Sequence, residues 1–251
     1  MKSATRNLVA MAFAVAGVMV IATTAPAARH GDSEDKKARE AKVKEAAEQS
    51  SRAAKAFDAV MQVPDQAIPR DLLTRAQAVA VFPNVIKVAA TVGGQAGRGV
   101  VSRRTVAGWG PSVFFRGAGG SFGPQIGASF TDYFLLLMND DSVEALMKDR
   151  FELGGEAAIA AGPVGRNAGA ATDATMQAAI LSYSRSRGLF AGLSLKGVVL
   201  KPEDDLNEAV YGKTARELLS DVIYGKADSK AGLKSFPQVI ERYTSDRDSD
   251  R

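Results

Sequence analysis

Three stretches of the chain hold residue types that could do chemistry. Gly119-Gly120-Ser121-Phe122-Gly123 matches the G-x-S-x-G pattern of a hydrolase nucleophile. Such a serine needs a base beside it and a strand–turn–helix setting. The one histidine, His30, lies far from it near the start of the chain, and strand-like sequence follows Ser121. A glycine turn is therefore the expected role. Gly212-Lys213-Thr214 looks like the end of a phosphate loop, but Asn207 stands where the first glycine is required. The nearby Glu203, Asp204, Asp205 and Glu208 would repel a triphosphate, so a helix break is expected there. The pairs Asp140-Asp141 and Asp204-Asp205 could serve acid–base work, yet adjacent acids at a helix start normally cap it and face its dipole. No calcium loop spacing occurs. The absence of Cys removes thiolate nucleophiles, disulfides and zinc–cysteine or iron–sulfur sites, and one His removes a two-His metal site. Neither enzyme activity nor a cofactor nor a metal is expected.

The elements that would have to position any site read as follows. Asp35 to Met61 is rich in Ala, Lys and Glu, with a weak stripe of Val43, Ala47, Ser50, Ala54, Phe57 and Met61, which predicts a helix ending before Pro64. Glu40–Lys44, Asp35–Arg39 and Glu48–Arg52 are i,i+4 pairs in the favourable order. A short helix starts near Pro69. From Ala78 the β-branched residues Val79, Val81, Val85, Ile86, Val88 and Val92 predict strands. Gly93-Gly94-Gln95-Ala96-Gly97 reads as a hairpin or bulge. Eleven of the 24 Gly lie between Gly93 and Gly127, which predicts a sheet that bends hard. Phe130 to Met138 is the expected central strand, and Ser142 to Arg150 a short helix capped by Ser142. Strands resume over Phe151 to Ala161 and Ala178 to Leu200. Helices follow over Leu206 to Tyr224 and Phe236 to Tyr243, then a disordered tail, 244–251. The order predicts an α+β fold: a curved, glycine-rich antiparallel sheet or sandwich flanked by N-terminal and C-terminal helices.

Residues 1–27 read as a cleaved Sec-type signal peptide. Lys2 and Arg6 precede an uncharged apolar run from Leu8 to Ala22, and Ala25-Pro26-Ala27 is a small-x-small site. Fifteen helical residues span about 22 Å, short of a bilayer core of about 30 Å. The expected location is periplasmic or secreted. Cleavage leaves 30 Lys plus Arg against 28 acids, so the net charge falls from +4 to +2 and a nucleic-acid partner is not expected. The mature chain then divides into a charged N-terminal helix (28–62) and one domain (63–243).

Several blocks, taken in order, identify a family. They are Ile68-Pro69-Arg70-Asp71-Leu72-Leu73, Ala80-Val81-Phe82-Pro83, Gly93 to Arg103 (GGQAGRGVVSR) and Gly119 to Gly127 (GGSFGPQIG). Thr131-Asp132-Tyr133, Ala161 to Arg166 (AGPVGR), Ser182 to Gly192 (SYSRSRGLFAG), Asn207 and Tyr211-Gly212 complete the set. Their order and spacing resemble the SYLF domain, a lipid-binding module also described as actin-binding in fungi. The likeness runs from about Ala53 to Tyr224. It implies a non-enzymatic module that binds anionic phospholipid. The export signal points to a bacterial anionic lipid or membrane surface as partner, with peripheral membrane association. An envelope protein, met through the charged helix or a sheet edge, is the alternative.

Headgroups need cations and backbone donors, and acyl chains need exposed apolar surface. The candidate lipid-binding cations are Arg98, Arg103, Arg104, Arg116, Arg166, Arg185, Arg187 and Lys196. The turns Gly162-Pro163-Val164-Gly165-Arg166 and Ser184-Arg185-Ser186-Arg187-Gly188 join glycine backbone to Arg donors, which suits a phosphate. Asp132 could orient such an Arg. Trp109, Phe114, Phe115, Leu189 and Phe190 are expected in the core rather than in a membrane. Phe57 and Met61 would pack the first helix onto the domain.

Overall fold

The computed structural model describes residues 31–63, 67–89, 92–122, 127–155, 157–165, 177–186, 189–192, 195–221 and 233–245. The proposed signal segment and His30 lie outside them. Helix α1 (Gly31–Met61) begins four residues before the expected start. Its buried side is Ala46, Gln49, Ser50, Ala53, Ala56, Phe57, Val60 and Met61, with Val43, Ala47 and Ala54 at the margin. The buried side is thus wider than the expected stripe, and its inner surface is mostly small residues. A small-residue surface lets a helix lie close to a sheet. Of the expected ion pairs, Arg52 meets Glu48 at 3.8 Å, while Glu40 meets Lys36 instead of Lys44.

Helix α2 (Arg70–Arg75) leads into β1 (Ala78–Ala89), which pairs antiparallel with β2 (Val92–Thr105) and β5 (Gly127–Leu137). Its register shifts between Val81 and Ile86 against β2, and between Phe82 and Val85 against β5. Pro83, which has no N–H to give, sits at this bulge. The glycines expected in a hairpin or bulge lie instead within β2, and the bulge is in the partner strand. A Cβ on Gly99 would come 2.3 Å from Phe82 Cδ1, and one on Gly97 2.6 Å from Val85 Cγ2. These glycines make room for two side chains that the bulge lays across them.

The remaining strands are β3 (Gly108–Trp109), β4 (Val113–Phe122), β6 (Phe151–Glu152), β7 (Ile159–Ala161), β8 (Ile180–Ser186), β9 (Leu189–Gly192) and β10 (Val198–Pro202). They form one sheet in the order β6-β10-β4-β2-β1-β5-β8-β7, with β3 on β2 and β9 on β8. The expected central strand is indeed interior. The fold is α+β, but the sheet is mixed, because β7 runs parallel to β8. Helix α3 (Asp140–Leu146) is capped by Asn139, whose Oδ1 accepts from Ser142 N at 2.9 Å, so the cap lies three residues before the expected Ser142. The helical stretch expected from Leu206 is two helices, α4 (Asp204–Tyr211) and α5 (Ala215–Asp221), and the expected break falls at Gly212 with φ 70°. Helix α6 (Ser235–Thr244) takes in Thr244, which the sequence placed in the tail. Among the described residues, no helix is long and apolar enough to cross a membrane.

Strand alternation feeds two cores. Val79, Val81, Val100, Phe114, Phe134 and Tyr183 face α1, α2 and α6. Ala78, Phe82, Val101, Phe115, Leu135 and Leu200 face α3 and α5. Helices, not a second sheet, therefore cover both sides.

Candidate functional site

Four of the predicted cations brace the fold. Arg98 Nε donates to both Glu203 oxygens at 2.8 and 3.0 Å, and its guanidinium also pairs with Glu45 of α1. These bonds hold its proton more tightly than usual, against the opposing effect of burial. Arg103 is 5% exposed and donates to Leu219 O and to Asp140 Oδ1, each at 2.8 Å. Arg104 donates to Ala76 O at 2.9 Å and to Leu73 O at 2.8 Å, at the C-terminal end of α2 where carbonyls lack a full set of helical partners. Its Cζ stacks 4.5 Å from the Trp109 ring centre, and burial lowers its pKa. Arg185 binds Asp132 Oδ2 through Nε at 3.1 Å and Nη2 at 2.8 Å, so Asp132 does orient an Arg. Arg166 and Arg187 lie outside the described residues. Arg116 and Lys196 are exposed and have no ion pair among the described residues.

The sheet register gathers a basic group that the sequence did not single out. Arg98 is directly across from Arg116, and Arg116 from Lys201. Arg150 precedes Phe151, which pairs with Leu200, so it extends the row to the β6 edge. Arg116, Lys201 and Arg150 line a groove of about 540 Å³ with Gln95, Ala118, Gly119 and Val199. No acid lines it. The adjoining groove of about 760 Å³ includes Glu45, Glu203, Asp204 and Asp205, which neutralise Arg98 and its surroundings. Like charges directly opposite on neighbouring strands cost stability. An anion bound between Arg116, Lys201 and Arg150 would relieve that cost.

The next row of the same sheet face is apolar. Phe130, Ile86, Ala96, Ala118 and Val199 are successive cross-strand partners. They run parallel to the cation row, about 7 Å away. Phe130 is 62% exposed, Ile86 49% and Val88 55%, because α1 crosses the sheet below them. Sequence reading takes a β-branched run for core, and only the register shows that its far end emerges from under the helix. Phe114 and Phe115 are buried as expected, and Trp109 is half-buried. The side chains of Leu189 and Phe190 lie outside the described residues.

The catalytic look-alikes have structural roles. Ser121 lies in β4, the next described element after it is strand β5, and Gly123 lies outside the described residues. Thr214 and Glu217 form a reciprocal cap: Thr214 N donates to Glu217 Oε2 at 2.8 Å and Glu217 N to Thr214 Oγ1 at 3.3 Å. Asp204 Oδ1 accepts from Ala215 N at 2.7 Å, and Asp140 holds Arg103.

The model of the family described as Ysc84, Las17-binding protein actin regulator, matches residues 118–243. The chain belongs to the Ysc84 family, the SYLF domain that its sequence blocks resemble. Among relatives, LAS seventeen-binding protein 3 of Saccharomyces cerevisiae is 36% identical over 162 residues, 62% of this chain and 35% of that protein. SH3 domain-containing YSC84-like protein 1 of Homo sapiens is 33% identical over 185 residues, 72% of this chain and 53% of that protein. This Ysc84-family chain thus spans between about a third and about half of the relatives it matches. Those relatives carry names of binding or domain-containing proteins rather than of enzymes.

Proposed function

We propose that this Ysc84-family chain is a non-enzymatic module that binds anionic phospholipid surfaces peripherally. The observation that supports it is the pairing of a cation row, Arg116, Lys201 and Arg150, with an exposed apolar row, Phe130, Ile86 and Val88, on one sheet face, Arg116 standing at the border with the acidic groove. The cations meet headgroup phosphates while the apolar row reaches the acyl boundary. Arg98, Arg103, Arg104 and Arg185 keep structural roles in this reading. Flotation of the protein with vesicles tests it. Binding is expected to phosphatidylglycerol vesicles and not to phosphatidylcholine vesicles. Each surface cation contributes about 1 kcal/mol, so R116Q/K201Q should weaken binding roughly thirtyfold. Phe130→Ser should weaken it about tenfold more by removing apolar burial. Equal binding to both vesicle types sinks the reading.

A protein-interaction role without lipid specificity is the second reading. It rests on the name of the yeast relative, which denotes binding to another protein. Pull-down of a specific protein by a chain that ignores anionic vesicles would favour it. The site of action we propose is the periplasm or the exterior, reached through cleavage of residues 1–27. N-terminal sequencing of the protein purified from extracytoplasmic fractions should begin at Ala28 or Arg29. An intact Met1 on cytoplasmic protein would overturn it.

A further inference from the structure

At the opposite end of the same sheet face, a smaller cavity of about 220 Å³ opens beside α1. Arg52 and Lys55 reach it from α1, Asn84 from β1, and Asp132 and Arg185 from β5 and β8. Its single carboxylate is fully engaged within the fold. Asp132 Oδ1 accepts from Asn84 N at 2.8 Å, and Oδ2 accepts from Arg185. The Asp132 side chain is 11% exposed and the Arg185 side chain 27%. Arg185 Nη1 has no acceptor among the described residues. Lys55 has no acid partner there either, and Arg52 makes one long contact of 3.8 Å with half-exposed Glu48. Three cations from two separate elements therefore converge on one spent carboxylate, leaving an excess of two positive charges.

The backbone supports the same reading. Asn84, at φ 53°, is the one non-glycine residue with positive φ among the described residues. A left-handed residue on a strand interior is unfavourable and persists only where its surroundings hold it. Asp132 holds it. The bulge brings Asn84 to the cavity wall, where the residue is exposed and its side-chain amide has no hydrogen-bond partner among the described residues. An ordinary buried ion pair would need neither the strained turn nor Arg52 and Lys55.

We infer that this cavity is a seat for a tetrahedral oxyanion carrying two charges, of the phosphate-monoester class. Arg185 supplies a planar fork whose direction is set by Asp132, Lys55 and Arg52 supply charge from above, and Asn84 supplies a neutral donor. The dianion balances the excess charge. The seat does not depend on the membrane reading, because its residues are separate from Arg116, Lys201 and Phe130. The monoester could be a lipid headgroup or a free solute.

Inorganic phosphate titrated into the full protein, followed by amide chemical shifts, tests it. Saturable shifts centred on Asn84 and Arg185 are expected. K55Q and R52Q should each weaken binding about tenfold, the effect of losing one charge-assisted hydrogen bond. Both residues are on the exposed side of α1, and circular dichroism confirms that the variants fold. R116Q/K201Q should bind phosphate as the parent does. Displacement of phosphate by dioctanoyl phosphatidic acid, a monoester, but not by dioctanoyl phosphatidylglycerol, a diester, assigns the seat to a lipid. Phosphate binding that phosphatidic acid leaves intact assigns it to a soluble monoester, and either outcome supports the seat. Shifts that do not saturate, or unchanged affinity in K55Q and R52Q, or loss of phosphate binding in R116Q/K201Q, would overturn it.

Discussion

Asn207→Leu should lower stability by about 3 kcal/mol, a fall in Tm of roughly 6–12 °C. Asn207 is fully buried on α4 and behaves like an extra strand neighbour to β4. Its Oδ1 accepts from Phe114 N at 2.9 Å, and its Nδ2 donates to Phe114 O at 3.2 Å. Leucine fills similar space and satisfies neither group, so the buried Phe114 N–H is orphaned while Phe114 O keeps only its bond from Glu203 N at 3.0 Å. Asn207→Asp gives a sharper test. A carboxylate still accepts from Phe114 N but faces Phe114 O as a second acceptor. Burial raises the pKa of that acid, so its folded pKa lies above its unfolded one. The protonated form regains a donor, and the variant should therefore recover stability as pH falls through the raised folded pKa. Thermal melts at pH 5 and pH 7.5 read this directly. A variant with no pH dependence relative to the parent would mean that Asn207 does not bridge both groups.

Gly99→Ala should destabilise by about 2–3 kcal/mol, at the upper part of the range for overpacking a rigid core. The added Cβ would lie 2.3–2.6 Å from three ring atoms of Phe82, itself only 3% exposed. The ring has little room to swing away, because it is buried in the core that also holds Val85, Tyr133 and Leu200. The expected compensation is specific: Phe82→Leu should restore much of the loss in the double variant, although alone it destabilises. Urea denaturation of the two single variants and the double variant measures that coupling. Additive losses would show that the glycine serves something other than the ring. Gly127 is the contrast, since nothing lies within 4 Å of its Cβ position, and its φ of 151° sets its requirement instead.

These two residues also show what the sequence made legible. Asn207 and Tyr211-Gly212 were recognisable as a block of the family, without a reason. The reason is geometric: Asn207 bridges Phe114, Tyr211 Oη donates to Ser112 O at 2.9 Å, and Gly212 closes α4 in a left-handed conformation. Helices could be placed because their periodicity is local. Strand existence was legible from β-branched runs, but the glycine stretch was misplaced by its role. A glycine needed for a turn and one needed for a neighbouring ring look alike until register pairs the strands. The charges were hidden for the same reason. Arg98 meets Glu45 across 53 residues and Glu203 across 105, and Arg103 meets Leu219 across 116. No window along the chain contains those partners, so braces and free cations looked equivalent. Lys201 and Arg150 gain significance only because β10 lies beside β4 and β6 beside β10, and Phe130 because α1 crosses the sheet below it.

The packing of α1 against α6 has a consequence for how the chain reaches this structure. Phe57 makes edge contacts with Phe236 and Tyr243, at 6.3 and 6.1 Å between ring centres. Phe236 N donates to Ser50 Oγ at a sequence separation of 186, and Tyr243 Oη donates to Asp58 Oδ1 at 2.7 Å. The first core is therefore sealed by α6. A chain being synthesised can form α1 and the β1–β2 pairing early, but the two rings that meet Phe57 edge-on come only with α6. Closure of this core waits for α6, and such long-range contacts slow folding. Until α6 docks, the Phe57 end of the α1 face lacks its cover.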